Sequence, residues 1–246
     1  MTLNMQRAAE IQRQYYAATA KRYEQMHAHE GAGDAFSAKL LQNIVRMVDA
    51  QSVLDVGAGT GLGLRALKEA LPHLNVCGIE PVRELIQQAA RNDSAAPGPI
   101  FQGRGEALPF RDASFDVVCE FATLHHVPDP GAVVNEMLRV ARKVVFISDS
   151  NRFGQGSLSS RIIKLLLFKS RLWGLFNYLR TSGKGFLISE GDGLFYSYSV
   201  YDSFRQIACW ADRLILIPNE IQKVKSWLHP LLTSSGVILC AIREGK

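Results

Sequence analysis

Short, nearly continuous apolar runs alternate with longer segments of helical period along most of the chain. Residues 3–27 are polar and helical in character, with tyrosines at 15, 16 and 23. Residues 34–49 carry Phe36, Leu40, Leu41, Ile44, Val45 and Val48 at helical spacing behind Asp34, which is placed to cap that helix. Five strands are then expected in turn: SVLDV (52–56), NVCGIE (75–80), a short one near 100–102, FDVVCEF (115–121) and KVVFIS (143–148). Helices fall between them, from about 61 to 71, after Pro81, and over 130–142. Strands that read as unbroken apolar runs, separated by helices, predict a parallel, doubly wound sheet with helices on both faces. RLILIPN (213–219) and GVILCAIRE (236–244) read as two further strands around a helical IQKVKSWLHPLL interrupted at Pro230. The expected architecture is α/β, a mostly parallel seven-stranded sheet with a helical and loop insertion after the fifth strand. Its expected divisions are N-terminal helices over 1–50 that cover the site, a core over 51–148, a cap or insertion over 149–205 and sheet-completing strands over 206–246.

Charge changes this picture in one place. Between Arg139 and Lys184 ten basic residues face Asp149 alone, a balance of +9, which leaves −4 for the rest of a chain whose net charge is +5. Within that stretch RIIKLLLFKSRLWGLFNYLR (161–180) interleaves lysines and arginines with leucines and aromatics. It reads as a basic amphipathic helix, which could lie at a membrane surface, meet a lipid-linked substrate, or pack as a lid or oligomer contact. The polar N-terminus MTLNMQRAAEIQRQYY lacks the apolar run of a secretory signal, and no stretch is apolar enough to span a bilayer. Cys77, Cys119, Cys209 and Cys240 form no C-x-x-C pair and lie beside apolar residues. They are expected to be buried reduced thiols in a cytoplasmic protein that holds no metal.

The chemistry concentrates in VLDVGAGTG (53–61), where Gly57, Gly59 and Gly61 follow a strand and precede a helix. Glycine serves where the chain turns with positive φ or where a ligand must approach the backbone closely. Nineteen residues beyond Gly61, Glu80 ends the second strand, where a carboxylate can accept both hydroxyls of a ribose. A nicotinamide-dinucleotide fingerprint requires G-x-G-x-x-G, but the sixth position is Leu62 counted from Gly57 and Leu64 counted from Gly59. The spacing here is G-x-G-x-G, with Asp55 two residues before the first glycine.

DVGAGTG resembles motif I of class I S-adenosyl-L-methionine (SAM) dependent methyltransferases, and IEP (79–81) resembles the acidic end of their second strand. GEALPF (105–110), ASFDVV (113–118), FATLHHVPDP (121–130) and NEMLRVARKVVFIS (135–148) are similar to later stretches of the small-molecule group that includes ubiquinone and menaquinone methyltransferases. The resemblance covers roughly residues 15–148. It implies a Rossmann-like methyltransferase fold and SAM as cofactor. It further implies that Asp55 and the three glycines line the methionyl part, that Glu80 and Pro81 meet the ribose, and that Gly105 and Glu106 flank the adenine. Tyr23, in AKRYE (20–24), would cover the cofactor. One departure is Arg104, where the family usually has an aspartate for the adenine amino group; arginine offers no acceptor.

The expected reaction is methyl transfer to a hydroxyl or carbon of a small-molecule acceptor, lipid-linked acceptors included. His125 and His126, after the fourth strand, are candidates for a base or a substrate contact, and equally for a wall of the site without acid–base work. Asp149 and Asn151, expected just beyond the fifth strand, are further candidates, Asp149 doubling as a turn or capping residue. Glu190, Asp192, Tyr196 and Tyr198 in the insertion complete the set. Two other functions stand beside this one, a nucleic-acid methyltransferase and a non-catalytic SAM-binding regulator. Against the first, CEFATLHH lacks the Asn/Asp-Pro-Pro-aromatic signature of amino-group methylation on bases, and the cations lie among leucines rather than stacking aromatics.

Overall fold

The computed structural model describes residues 3–27, 31–91, 98–189, 193–219 and 230–244. Helices α1 (Leu3–Thr19), α2 (Tyr23–His27) and α3 (Gly31–Met47) lead into the alternating core. That core comprises β1 (Ser52–Val56), α4 (Leu62–Ala70), β2 (Asn75–Glu80), α5 (Arg83–Arg91), β3 (Ile100–Gln102), β4 (Phe115–Phe121), α6 (Pro130–Val140) and β5 (Ala141–Ser150). The insertion holds α7 (Leu158–Lys169), α8 (Trp173–Arg180), β6 (Phe186–Ser189), β7 (Gly193–Tyr196) and α9 (Phe204–Ala208). The last elements are β8 (Arg213–Pro218), α10 (Pro230–Thr233) and β9 (Gly236–Ile242).

Seven strands form one sheet in the order β3-β2-β1-β4-β5-β9-β8. β1 to β5 pair in parallel, and β9 runs antiparallel to both of its neighbours. The expected mostly parallel, seven-stranded sheet is therefore the observed one. Side chains alternate across it. Val53, Val117, Val144 and Phe146 meet Leu41, Ile44, Val45, Leu64 and Leu67 of α3 and α4 on one face. Leu54, Val118, Val145 and Ile147 meet Val133, Val134, Met137 and Ile207 of α6 and α9 on the other. With both faces covered, a polar side chain on the central strands can reach a ligand only at the strand ends. The chain order reverses between β1 and β4, so their carboxyl ends open onto a crevice.

Several boundaries differ from the sequence reading. Helix α3 starts at Gly31, which puts Asp34 inside the helix rather than at its cap. Helix α6, capped by the Asp129 carboxylate accepting from the Ala132 amide at 3.0 Å, ends at Val140 instead of 142. Strand β5 takes over at once because Ala141 pairs with Phe115, and Arg142 and Lys143 are drawn to Asp116 at 3.2 and 3.8 Å. At its other end β5 runs to Ser150, two residues past the expected stop, since Asp149 and Ser150 still pair with Val237 and Gly236 of β9. The single basic helix expected over 161–180 is two helices, broken where Arg171 takes a left-handed φ of 61°. The insertion, expected to be helical and loop, also holds the β6–β7 hairpin. Most of the helical segment expected before Pro230 lies outside the described residues. Of the four free thiols, Cys119 and Cys240 are buried as expected, Cys77 is half-buried, and Cys209 is exposed near the end of α9.

Phe146 of β5 packs the sheet against the α3–α4 layer: it is fully buried and lies on Phe121 with ring centroids 5.8 Å apart. Phe146→Ala should cost about 3–5 kcal/mol in chemical denaturation, the usual loss for an aromatic removed from a closed core. A cost below about 1 kcal/mol, the level of a volume-conserving swap, would mean that this layer repacks freely.

Candidate active site

The crevice at the carboxyl ends of β1, β2 and β4 is a cavity of about 790 Å³, within the usual range for small-molecule and cofactor sites. Its walls include Tyr23, Asp55, Gly57, Glu80, Pro81, Gly105, Glu106, His125 and His126, so nine of the site residues expected from the sequence converge there. Gly59, Gly61 and Asp149 do not line it.

The turn after β1 explains the glycines. Gly57 and Ala58 donate their amides to the Ile79 carbonyl at 2.8 and 3.0 Å, which folds the turn across β2. Gly57 has φ of 84°, and a Cβ there would fall 2.2 Å from the Thr123 hydroxyl. Gly59 has φ of 54° and lies beneath the Tyr23 phenol, whose oxygen stands 3.3 Å from where its Cβ would be. Gly59 and Gly61 thus shape the turn and lead into α4, and only Gly57 of the three meets the cavity. The turn is strapped from outside. Glu24 accepts from Arg65 at 2.7 Å and from the Thr60 hydroxyl at 2.9 Å, while Arg65 also donates to the Thr60 carbonyl at 2.8 Å.

Two buried carboxylates face this cavity. Glu80 accepts from the amides of Gly59 at 3.0 Å and Val82 at 2.8 Å. Burial nevertheless raises its carboxyl to about 7, since those two N–H groups offset only part of the desolvation. Asp55 is likewise raised to about 7, by burial first and then by the neighbouring Glu80 charge. Among the described residues no cation pairs with either. Arg104 instead pairs with Glu106 at 2.9 Å, so the departure noted in the sequence also engages the neighbouring carboxylate.

The histidines differ in kind. His125 Nδ1 stands 2.7 Å from Asp149 Oδ1, and Asp149 also accepts the amides of Leu124 at 2.7 Å, His125 at 3.3 Å and Ser150 at 2.5 Å. Burial works to raise Asp149, but the His125 charge, its hydrogen bond and the Ser150 amide outweigh it and hold the carboxyl below its ordinary range. Glu120, buried at the end of β4 with one oxygen unpartnered, is pushed well above the carboxylate range by burial and by Asp149. Of these two acids Glu120 keeps the proton and Asp149 the charge. Asp149 is therefore neither a turn residue nor a group at the cavity: it is a strand residue behind His125.

His126 is held on both ring nitrogens. Its Nδ1 lies 2.7 Å from the Leu194 carbonyl and 3.1 Å from the Gln12 side-chain nitrogen. Its Nε2 stands 3.0 Å from the Tyr16 hydroxyl. Gln12 also accepts the Leu194 amide at 2.5 Å. Gln12, Tyr16, Thr123 and Glu120 were not singled out from the sequence. The tyrosine cluster was the available signal for Tyr16; nothing local marks a glutamine in a polar helix as a site residue.

The insertion reaches the cavity only from behind, through β7 and His126. Among the described residues none of α7, α8 or β6 lines it, whereas α1, among the N-terminal helices expected to cover the site, does. Asn151 is structural: its amide donates to the carbonyls of Leu231 at 2.9 Å and Ser234 at 2.8 Å. Tyr196 and Tyr198 line a separate crevice of about 310 Å³, which shares Pro128 with the main cavity. Glu190 and Asp192 lie outside the described residues.

Residues 54–147 match the family model described as a methyltransferase domain. An uncharacterized methyltransferase of Mycobacterium tuberculosis is 26% identical over 178 residues, covering 72% of this chain and 69% of that protein. Another from Mycobacterium marinum is 32% identical over 143 residues, 55% of each chain. In fold, the chain is similar to magnesium protoporphyrin IX methyltransferase of Synechocystis PCC 6803, solved with bound SAH, at a TM-score of 0.60 and 16% identity over 96% of this chain and all of that one. A SAM-dependent methyltransferase of Thermotoga maritima gives 0.55 and 16% identity over 94% of this chain and 99% of that one.

The two raised carboxyls have a pH signature. Both values stand above those of the unfolded chain, so the stability tied to their protons is complete below the ordinary carboxylate range and is lost as pH rises through about 7. Asp149 works in the opposite sense, its contribution being lost only as pH falls through its depressed value. A ligand whose cationic group pairs with Asp55 or Glu80 draws their values down, so its binding near pH 7 should release protons. Calorimetry in two buffers of different ionisation enthalpy measures that release; identical heats would mean that the ligand leaves both carboxyls untouched.

Proposed function

We propose that this chain, whose residues 54–147 match a methyltransferase domain, is a class I SAM-dependent methyltransferase that methylates a small-molecule acceptor whose nucleophile, a hydroxyl before all others, loses its proton to His125. The His125–Asp149 pair at the cavity wall carries this reading. An imidazole that donates through Nδ1 carries its basic lone pair on Nε2, and a buried carboxylate behind it stabilises the imidazolium that forms. An amine acceptor, already nucleophilic when neutral, needs such a pair less than a hydroxyl or an enolic carbon does.

The cavity's residues fit the cofactor. SAM supplies an electrophilic methyl on a sulfonium, and it also bears an ammonium and a ribose diol. Two buried carboxylates without a protein cation suit that charge and those donors: Asp55 toward the methionyl end, Glu80 toward the ribose hydroxyls with Pro81 beside it. Gly57 lets Thr123 pack against the turn, and Tyr23 lies over the turn at Gly59. Val56 and Val133 form an apolar slot at Gly105, where an added Cβ would meet both. With Glu106 engaged by Arg104, the Gly105 backbone and this slot are the adenine's natural supports.

The remaining residues orient and exclude. Asp149 fixes the His125 ring, while the backbone amides of Leu124 and His125 fix Asp149. A proton retained on Glu120 spares Asp149 a second buried charge beside it. Tyr16 and the Leu194 carbonyl hold His126 as a wall, so α1 and β7 keep water from that side and help align the acceptor with the methyl.

Two substitutions separate binding from chemistry. Glu80→Ala should weaken SAM by about ten- to a hundredfold in calorimetry, the loss of one or two charge-assisted hydrogen bonds; unchanged affinity would refute this cofactor assignment. His125→Ala should keep SAM affinity but cut label transfer from methyl-labelled SAM into host-cell extract by roughly 10²–10⁴-fold. Transfer at the wild-type rate would remove His125 as the base, and tight SAM binding with no transfer by the wild type would favour a non-catalytic SAM-binding protein.

A further inference from the structure

The insertion carries a surface that the cavity does not use. Ten of the sixteen large exposed apolar side chains among the described residues fall between Leu158 and Leu179. Leu158, Ile162 and Leu166 follow one another at four-residue steps along α7, and Leu172, Leu175 and Leu179 at steps of three and four along α8, so each set forms a stripe. Leu166, Leu175 and Leu179 are 60–67% exposed. Around these stripes stand Lys169 and Arg171 at the turn, and Arg180 and Lys184 at the far end, all exposed. Residues 150–189 contain no aspartate or glutamate.

The hairpin is held firmly from within. The buried Arg152 guanidinium lies 5.5, 5.6 and 5.3 Å from the ring centres of Phe153, Phe168 and Trp173, and it pairs with Asp202. Arg161 donates to the Leu232 carbonyl at 2.7 Å, and Lys164 to the carbonyls of Arg152 and Gln155 at 3.0 Å each. The leucine stripes are thus presented by a fixed scaffold.

We propose that the α7–α8 hairpin docks this protein on an anionic lipid bilayer, with the leucines entering the interface and Lys169, Arg171, Arg180 and Lys184 meeting the headgroups. This stands independently of which acceptor the cavity takes. The charge pattern selects the occupant. A second copy packed on this face by twofold symmetry would set an acid-free cationic surface against itself. Nucleic acid would satisfy the cations but leave the leucines in water. An anionic bilayer satisfies both sets at once. No helix among the described residues is long and apolar enough to cross a membrane, so the contact is interfacial.

Co-sedimentation of the full chain with phosphatidylglycerol-containing vesicles, against pure phosphatidylcholine vesicles, tests this. Binding should require the anionic lipid and weaken with salt. Replacing Lys169 and Arg171 by glutamine should each lower partitioning by on the order of fivefold. The double variant Leu166→Glu/Leu179→Glu, at exposed positions, should abolish it while leaving SAM-induced thermal stabilisation unchanged, which shows the variant folded. Absent wild-type binding to anionic vesicles, or undiminished binding by the double variant, would overturn the assignment. A concentration-dependent dimer that the double variant dissociates, without vesicle binding, would give the face to a second copy instead.

Discussion

Burial of the sheet on both faces constrains everything else in this protein. Strands β1, β4 and β5 carry valine, leucine, isoleucine and phenylalanine toward two helical layers, so their interiors offer no position for chemistry. Polar side chains appear where the strands end: Asp55, Glu80, Glu120 and Asp149 all lie at or near the carboxyl ends, and all are buried. Desolvation makes each of these acids costly, and the site is in large part the set of devices that offset that cost. Glu80 has two backbone amides, and Asp149 has three amides and an imidazole. Glu120 keeps its proton. Among the described residues no backbone amide donates to Asp55, which makes it the carboxylate most in need of a ligand's charge.

The same constraint separates the roles of the two adjacent histidines. They follow one strand, their rings are 4.0 Å apart, and both line the cavity. Yet His125 is oriented by an ionised carboxylate from β5, whereas His126 is oriented by neutral groups from α1 and β7. The carboxylate behind His125 is placed to stabilise a positive charge on that ring. The N-terminal helix thereby serves the site twice, through Tyr16 on His126 and through its pairing with β7 at Gln12, and the Glu24 strap anchors the segment that follows it to the glycine turn.

The insertion divides into a part that faces inward and a part that faces outward. β7 buttresses His126, and the buried Tyr198 joins the core beneath α6 and α9. The α7–α8 hairpin, by contrast, is gripped at its base around Arg152 and leaves its apolar stripes uncovered. A cationic, apolar and acid-free surface of that kind costs solubility unless something covers it, and neither of its helices lines the cavity.

The sequence by itself determined the order and type of the sheet elements, because apolar runs and glycine turns are local signals that a doubly buried strand must display. It also determined the glycine turn with Asp55 and Glu80, whose spacing follows from one strand–turn–helix–strand unit. Boundaries escaped it where a partner strand extended an element, as β9 does for β5 beyond Ser148. Site residues escaped it where contact spans great chain distance: Gln12 and Tyr16 lie 114 and 110 residues from His126, and no local pattern marks such a pair. Nor could it separate His125 from His126, or tell that Asp149 works from behind rather than at the cavity. Those distinctions depend on which strand end and which helix happen to face each ring, and only packing decides that.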